Sequence, residues 1–193
     1  NVLAGSFNVM QKGIAEREEK ILHQAYHDTL TSLPNRMLAT KEMKKLIRAC
    51  HDNESCFVLM SVDINRFKQI NDTFGYQIGD GLLKAFAHRL AAVNKGANFC
   101  ARLGADEFLV LIQSEDHLKF RPLVESSVQQ LSESYFINDF EVTVSLRVGV
   151  AIFPLHGDQT GQLLRRTEIA LNDAKQKKRE IQFYEEGSDA KHL

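Results

Sequence analysis

Three acidic residues stand where a strand end and a tight turn can bring them together. Asp63 lies near the end of a near-continuous apolar run over residues 57–64, and Asp106 and Glu107 belong to a short Gly-Ala-Asp-Glu turn between apolar runs at 99–103 and 108–112. A carboxylate at the end of a buried strand can hold a divalent cation over a cleft while the strand fixes its position. Two such acids with one backbone carbonyl, here that of Ile64, suit Mg²⁺ or Mn²⁺, which takes few protein oxygens and keeps positions for phosphates. Spacing alone leaves a plainer alternative open, in which acids at strand ends and turns are simply solvated.

The apolar patterning describes a scaffold for these acids. The run over 57–64 reads as a central strand buried on both faces. Residues 35–51 follow the Pro34 break and read as a helix with Met37, Leu38, Met43, Leu46 and Ile47 on its apolar face. Asp80 is placed to cap a helix carrying Leu82, Leu83, Phe86, Leu90 and Val93. Strands 99–103 and 108–112 flank the acidic turn as a hairpin. Helices are expected over 117–134 and 161–178, a long strand or pair of strands over 140–153, and a short strand over 181–184. The order contains βαββαβ, the pattern of a ferredoxin-like palm. This is an α/β (α+β) fold with a central, mostly antiparallel sheet flanked by helices. In a palm the hairpin lies beside the central strand, so all three acids can converge.

Ahead of this core, Leu3, Phe7, Met10, Ile14 and Ile21 step by four, three, four and seven, which is a heptad seam on an N-terminal helix. An amphipathic helix laid on its own domain fits the same spacing. The expected division is a linker helix over 1–25, the main domain over 26–186 and a tail over 187–193. Lys and Arg total 24 against 25 Asp and Glu, so no global field favours nucleic acid or an anionic membrane, and a phosphate ligand must be held locally. Cys50, Cys56 and Cys100 form neither a CxxC pair nor a disulfide framework, which points to reduced thiols and the cytoplasm. His23 and His27 are spaced i, i+4 without a zinc-enzyme pattern around them, and read as structural.

Several ordered motifs resemble the GGDEF family over about residues 26 to 184. Asp28-Thr29-Leu30-Thr31-Ser32-Leu33-Pro34-Asn35-Arg36 is similar to its opening DxLTGLPNR, and Asp63-Ile64-Asn65-Arg66-Phe67-Lys68-Gln69-Ile70-Asn71-Asp72 to DxDxFKxIND. Gly75-Tyr76-Gln77-Ile78-Gly79-Asp80 looks like GHxxGD, and Arg102-Leu103-Gly104-Ala105-Asp106-Glu107-Phe108 like the signature hairpin. The resemblance implies a domain that binds one GTP and meets a second copy, so that each 3′-hydroxyl attacks the other's α-phosphorus to give cyclic di-GMP. It implies metal ligands at Asp63, Asp106 and the Ile64 carbonyl, with Glu107 as supporting acid. It further implies guanine contacts at Asn71 and Asp80, a nucleotide lying against Gly104 and Ala105, and a triphosphate clamp from Lys175 and Arg179, one turn apart on the last helix. Residues 3–10 resemble the end of a HAMP linker, the relay that follows a transmembrane helix in bacterial receptors, which implies a membrane-anchored parent, an inner-membrane receptor. Residues 163–171 resemble the version found where an EAL phosphodiesterase domain follows.

The departures from the family pattern bear on activity. Ala105 replaces the second glycine of the signature, at a turn where a positive φ would strain alanine by about 1–2 kcal/mol. Its methyl group could also intrude where the family's backbone approaches GTP, and restoring glycine at 105, which relieves either obstacle, is expected to raise activity about tenfold or more. Ser32, Asn65, Tyr76, Arg147 and Asn172 replace a glycine, an acid, a histidine, a serine and a tyrosine, and of these only Asn65 is expected beside the metal site. The product-inhibition RxxD falls on Lys95 and Asn98, which do not match it. Two functions remain open: an active cyclase, or a degenerate module that binds GTP or dimerises to regulate an attached EAL domain.

Overall fold

The computed structural model describes residues 1–191. Its long first helix, α1 (Val2–Tyr26), buries no residue, and the seam residues Leu3, Phe7, Met10, Ile14 and Ile21 are all exposed. The reading in which this helix lies on its own domain is therefore excluded. Among the described residues no helix is long and apolar enough to cross a membrane.

After α1 the chain turns through residues 27–35. Helix α2 (Arg36–Asp52) starts where the Asn35 side chain accepts from the Leu38 amide at 3.1 Å, and it buries Ala39, Met43, Leu46 and Cys50. Met37 is exposed, so the buried stripe is rotated from the expected one. Strand β1 (Cys56–Ile64) is buried along its whole length. Helix α3 (Phe67–Phe74), which the sequence reading missed, and helix α4 (Tyr76–Val93) meet at Gly75, whose φ of 87° suits glycine. Asp80 therefore lies inside α4 and does not cap it, because the chain turns at Gly75. The hairpin β2 (Phe99–Gly104) and β3 (Glu107–Ser114) follows, then α5 (Phe120–Leu131), β4 (Tyr135–Ile137), β5 (Phe140–Val142), β6 (Leu146–Phe153), α6 (Thr160–Gln176) and β7 (Ile181–Phe183). The expected 140–153 element is thus two strands. The first pairs with β4 in a separate small sheet, and the second joins the main one.

The main sheet has the order β2-β3-β1-β6-β7, all neighbours antiparallel except the parallel edge β6–β7. Its first four strands carry the ferredoxin-like order the motif pattern predicts. One face packs Val58, Met60, Val62 and Ile64 of β1 against Leu82, Phe86 and Leu90 of α4 and Phe120, Val124 and Val128 of α5. The other sets Phe57 and Leu59 against Ala39 and Met43 of α2 and Leu163 and Ala170 of α6. Each such fully buried large side chain contributes about 1.5–3 kcal/mol. Helix α6 sits on the sheet without a gap at Gly149 of β6, where a Cβ would overlap the backbone of Thr167 and Leu171. In the segment expected as a tail, residues 188–191 form a 3₁₀ turn and Asp189 accepts from the Tyr184 hydroxyl at 3.1 Å; residues 192 and 193 lie outside the described part.

The backbone strain expected at Ala105 is found instead at Ser32, whose φ is 61°, while Ala105 is not among the residues with positive φ. Ser32 stands where the family's opening motif carries glycine. Ser32→Gly is therefore expected to stabilise the chain by about 1 kcal/mol, seen as a rise in melting temperature of about 2–4 °C. A fall would show that Ser32 is held there by contacts worth more than the strain.

Candidate active site

The end of β1 brings charged groups from three strands into one row. Antiparallel pairing sets Glu107 of β3 and Arg147 of β6 directly opposite Asp63. Residues paired in this way share a face, here the one covered by α2 and α6. Asp106 lies in the hairpin turn, its carbonyl accepting from the Ile64 amide at 3.2 Å. Burial pushes the Asp106 carboxyl up to about 7, aided by a hydrogen bond with Asp63 and by that residue's negative charge; Lys175 pulls the other way without cancelling them.

Lys175 reaches from the last turn of α6 and forms an ion pair with Asp63 Oδ2. With both carboxyls ionised, the buried Asp63 Oδ1 has no hydrogen-bond donor. Two facing carboxyls, one oxygen without a donor and the Ile64 backbone beside them make a set that a divalent cation fits. Glu107 is placed differently: it accepts from Ser61 Oγ at 3.2 Å. Among the described residues no three acidic, His or Cys side chains form a ready metal cluster. The expected convergence of three acids is therefore corrected to a facing pair with Glu107 held alongside, because Ser61, on the same face of β1, engages its carboxylate.

A second part of the site lies where α3 meets α4. Asn71 presents a buried Oδ1 that no donor reaches. It can lie there only because residue 79 is glycine, since a Cβ at Gly79 would overlap that oxygen. The adjoining Asp80 is exposed. An acceptor held ready without a donor, next to a carboxylate, matches a ligand edge rich in N–H groups.

Arg179 departs from its expected place. Helix α6 ends at Gln176, and Lys178, with φ of 54°, reverses the chain so that the Arg179 amide donates to the Ala174 carbonyl at 2.9 Å. Arg179 is thus past the helix, with Nη1 donating to Gln182 at 3.2 Å. Lys175 and Arg179 are not stacked one turn apart.

The sequence reading also missed two arginines. Arg147, not Asn65 alone, borders the acidic pair, directly across from Asp63. Its Nη1 donates to the Leu146 carbonyl at 3.2 Å, whereas Asn65 donates to Ser145 Oγ at 3.0 Å. Only strand register reveals this, and one sequence carries no record of register. Arg102 binds both oxygens of Asp28 at 3.1 and 2.9 Å and donates through Nη2 to the Ala105 carbonyl at 2.7 Å. It ties the turn after α1 to the acidic hairpin. Gly104 and Ala105 are exposed, with open space where a Gly104 Cβ would lie.

The remaining candidates are structural. His23 and His27 stack with centroids 4.0 Å apart, and His27 Nδ1 lies 3.0 Å from the His23 carbonyl. Burial raises the Cys100 thiol to about 11, which leaves it protonated and unreactive near neutral pH. Asn98 binds the Gln113 amide through Oδ1 at 2.7 Å and so serves the β2–β3 edge.

The Asp106 shift fixes a sign for stability. A carboxyl that holds its proton up to about pH 7 in the folded chain, against an ordinary 3.8, favours folding at low pH and loses that contribution as pH rises toward 7. In metal-free buffer, Asp106→Asn should melt above the parent by a margin that widens by about 2–6 °C between pH 5 and pH 8. A margin that stays constant or narrows would mean that the pair does not repel as described.

Known proteins resemble this chain in sequence and in fold. The chain is 32% identical over 168 residues to the bifunctional diguanylate cyclase/cyclic di-GMP phosphodiesterase MucR of Pseudomonas aeruginosa, a match covering 87% of this chain and 24% of that protein. It is 31% identical over 186 residues to the diguanylate cyclase TpbB of the same species, covering 93% of this chain and 42% of TpbB. The chain therefore spans less than half the length of either relative. A structure of TpbB comprising only its GGDEF domain superposes with a TM-score of 0.81 at 28% identity, covering 86% of this chain and 98% of that one. The family described as "Diguanylate cyclase, GGDEF domain" matches residues 25–181. With sheet order, acidic hairpin and family match in agreement, the chain belongs to the GGDEF family, the domain of diguanylate cyclase-type cyclic di-GMP signalling proteins.

Proposed function

We propose that this chain binds GTP with Mg²⁺ or Mn²⁺ and condenses two GTP into cyclic di-GMP across a homodimer. The observation that carries the reading is the facing pair of a buried Asp63 and a half-buried Asp106, opposed so that a divalent cation relieves their repulsion. The relaxed backbone at Ala105 supports activity, since the strain expected to disable the signature is absent.

Each residue has a role that its position supports. The metal, when bound, supplies charge neutralisation at the α-phosphate and lowers the pKa of the attacking hydroxyl. Asp63, Asp106 and the Ile64 carbonyl would hold it. Asn71 accepts from the guanine N–H edge and Asp80 accepts beside it, whereas adenine, with a ring nitrogen acceptor in place of the N1–H, matches this pair poorly. Lys175 and Arg179 carry the charge that meets the triphosphate, and Gly104 with Ala105 forms the open floor beside it. Glu107, oriented by Ser61, is the supporting acid beside the pair. The 3′-oxygen bonds to the α-phosphorus as the bond to pyrophosphate breaks, and the hydroxyl proton leaves to a nearby base.

The exposed seam of α1 supports parallel pairing of two copies, which brings two such sites face to face. In the same reading the domain is cytoplasmic and α1 is the end of a HAMP-like linker from a membrane-anchored, inner-membrane parent. The 163–171 resemblance and the bifunctional relative support an EAL domain in that parent.

Incubation of the purified chain with GTP and Mg²⁺ should yield cyclic di-GMP by chromatography, and Asp106→Asn should lower the yield about a hundredfold or more. No product at any dimer concentration would leave the domain as a binding or dimerising module. Asn71→Ala should weaken GTP binding by about 1–3 kcal/mol in calorimetry and leave ATP binding unchanged. Equal loss for both nucleotides would remove Asn71 from base recognition.

A further inference from the structure

The ion pair between Lys175 and Asp63 sets two roles of the site against each other. Lys175 engages Oδ2 of the same carboxylate whose Oδ1 is buried without a donor, beside Asp106. An ammonium and a divalent cation on one carboxylate repel, so the cation binds Asp63 fully only when the ammonium has left. The backbone of Lys175 does not move for this. Helix α6 is seated against β6 at Gly149 with no room for a Cβ. The side chain is free to move instead: Lys175 is 45% exposed, against 13% for Asp63, and its four-carbon stem re-aims by bond rotation.

We infer that Lys175 is the exchangeable counter-ion of Asp63. A triphosphate draws the ammonium off Asp63 and the divalent cation takes its place, so each ligand raises the affinity of the other through this one side chain. By reciprocity the lysine weakens metal binding whenever no phosphate is present. Lys175 is thus a positioning residue whose effect on the metal opposes its effect on the nucleotide. The inference rests on the proposed metal-binding role of Asp63.

The test is Mn²⁺ binding to the whole chain without nucleotide, read by the loss of the free-ion paramagnetic resonance signal. Lys175→Gln should bind Mn²⁺ about tenfold more tightly than the parent. Lys175→Arg, which keeps the charge, and Lys177→Gln, which removes an equal charge outside the pair, should each stay within about twofold. Parental or weaker Mn²⁺ affinity in Lys175→Gln overturns the inference, as does an equal gain in Lys177→Gln. Asp63→Asn separates the two levels. If it binds Mn²⁺ as the parent does, the metal site itself is misassigned and the inference falls with it. If it loses Mn²⁺ while Lys175→Gln matches the parent, only the exchange is wrong.

Discussion

Two carboxyls that repel each other, Asp63 and Asp106, set the demand that the rest of the structure meets. Left to solvent they would separate. The chain prevents this by giving Asp63 a place on a strand paired on both sides and Asp106 a place in the turn of the neighbouring hairpin. Every residue of β1 is buried, so a slip of register would set its apolar side chains against the wrong helices as well as moving Asp63 to the opposite face. The repulsion is small beside that packing. A site with a cost of a few kcal/mol is affordable only on an element this well fixed.

The charges around the pair are arranged asymmetrically. Lys175 answers Asp63, Ser61 engages Glu107, and Arg147 turns its guanidinium to the Leu146 carbonyl. Asp106 is raised by burial first and by Asp63 second, and its own backbone amide and Lys175 oppose this only in part. That asymmetry leaves one carboxyl held as an acid near neutral pH, and it is the carboxyl of the signature hairpin.

Most of the scaffold was legible because burial writes itself into spacing. Residues 57–64 announced β1 by an apolar run too long for a half-exposed strand, and the βαββαβ order predicted a sheet order that holds. Helix α3 was not legible, since none of its eight residues is buried and only Phe67 and Ile70 pack partly against the core. Arg147 was not legible for a different reason. Its neighbour Asp63 is 84 positions away in the chain, and only the pairing of β1 with β6 makes them adjacent. The strain expected at Ala105 is absent because an alanine in a glycine position is strained only if the backbone there needs glycine's freedom. The turn does not need it. Ser32 occupies the other substituted glycine, and there the backbone does adopt positive φ.

Ser32 lies in the turn that links α1 to the site, and the placement of that strain is informative. Asp28, four residues earlier, accepts from the Thr31 amide at 2.9 Å, from the Thr31 hydroxyl at 2.7 Å and from Arg102. Burial raises its carboxyl, yet these hydrogen bonds and the Arg102 charge outweigh it and hold the group below the ordinary 3.8. Asp28 thus stays ionised, and the guanidinium it grips also holds the Ala105 carbonyl one residue before Asp106. The turn after α1 and the acidic hairpin therefore share one rigid, planar group in place of a chain of separate contacts. Because one guanidinium makes both contacts, the bond to Asp28 and the bond to Ala105 cannot both persist if the two segments move apart.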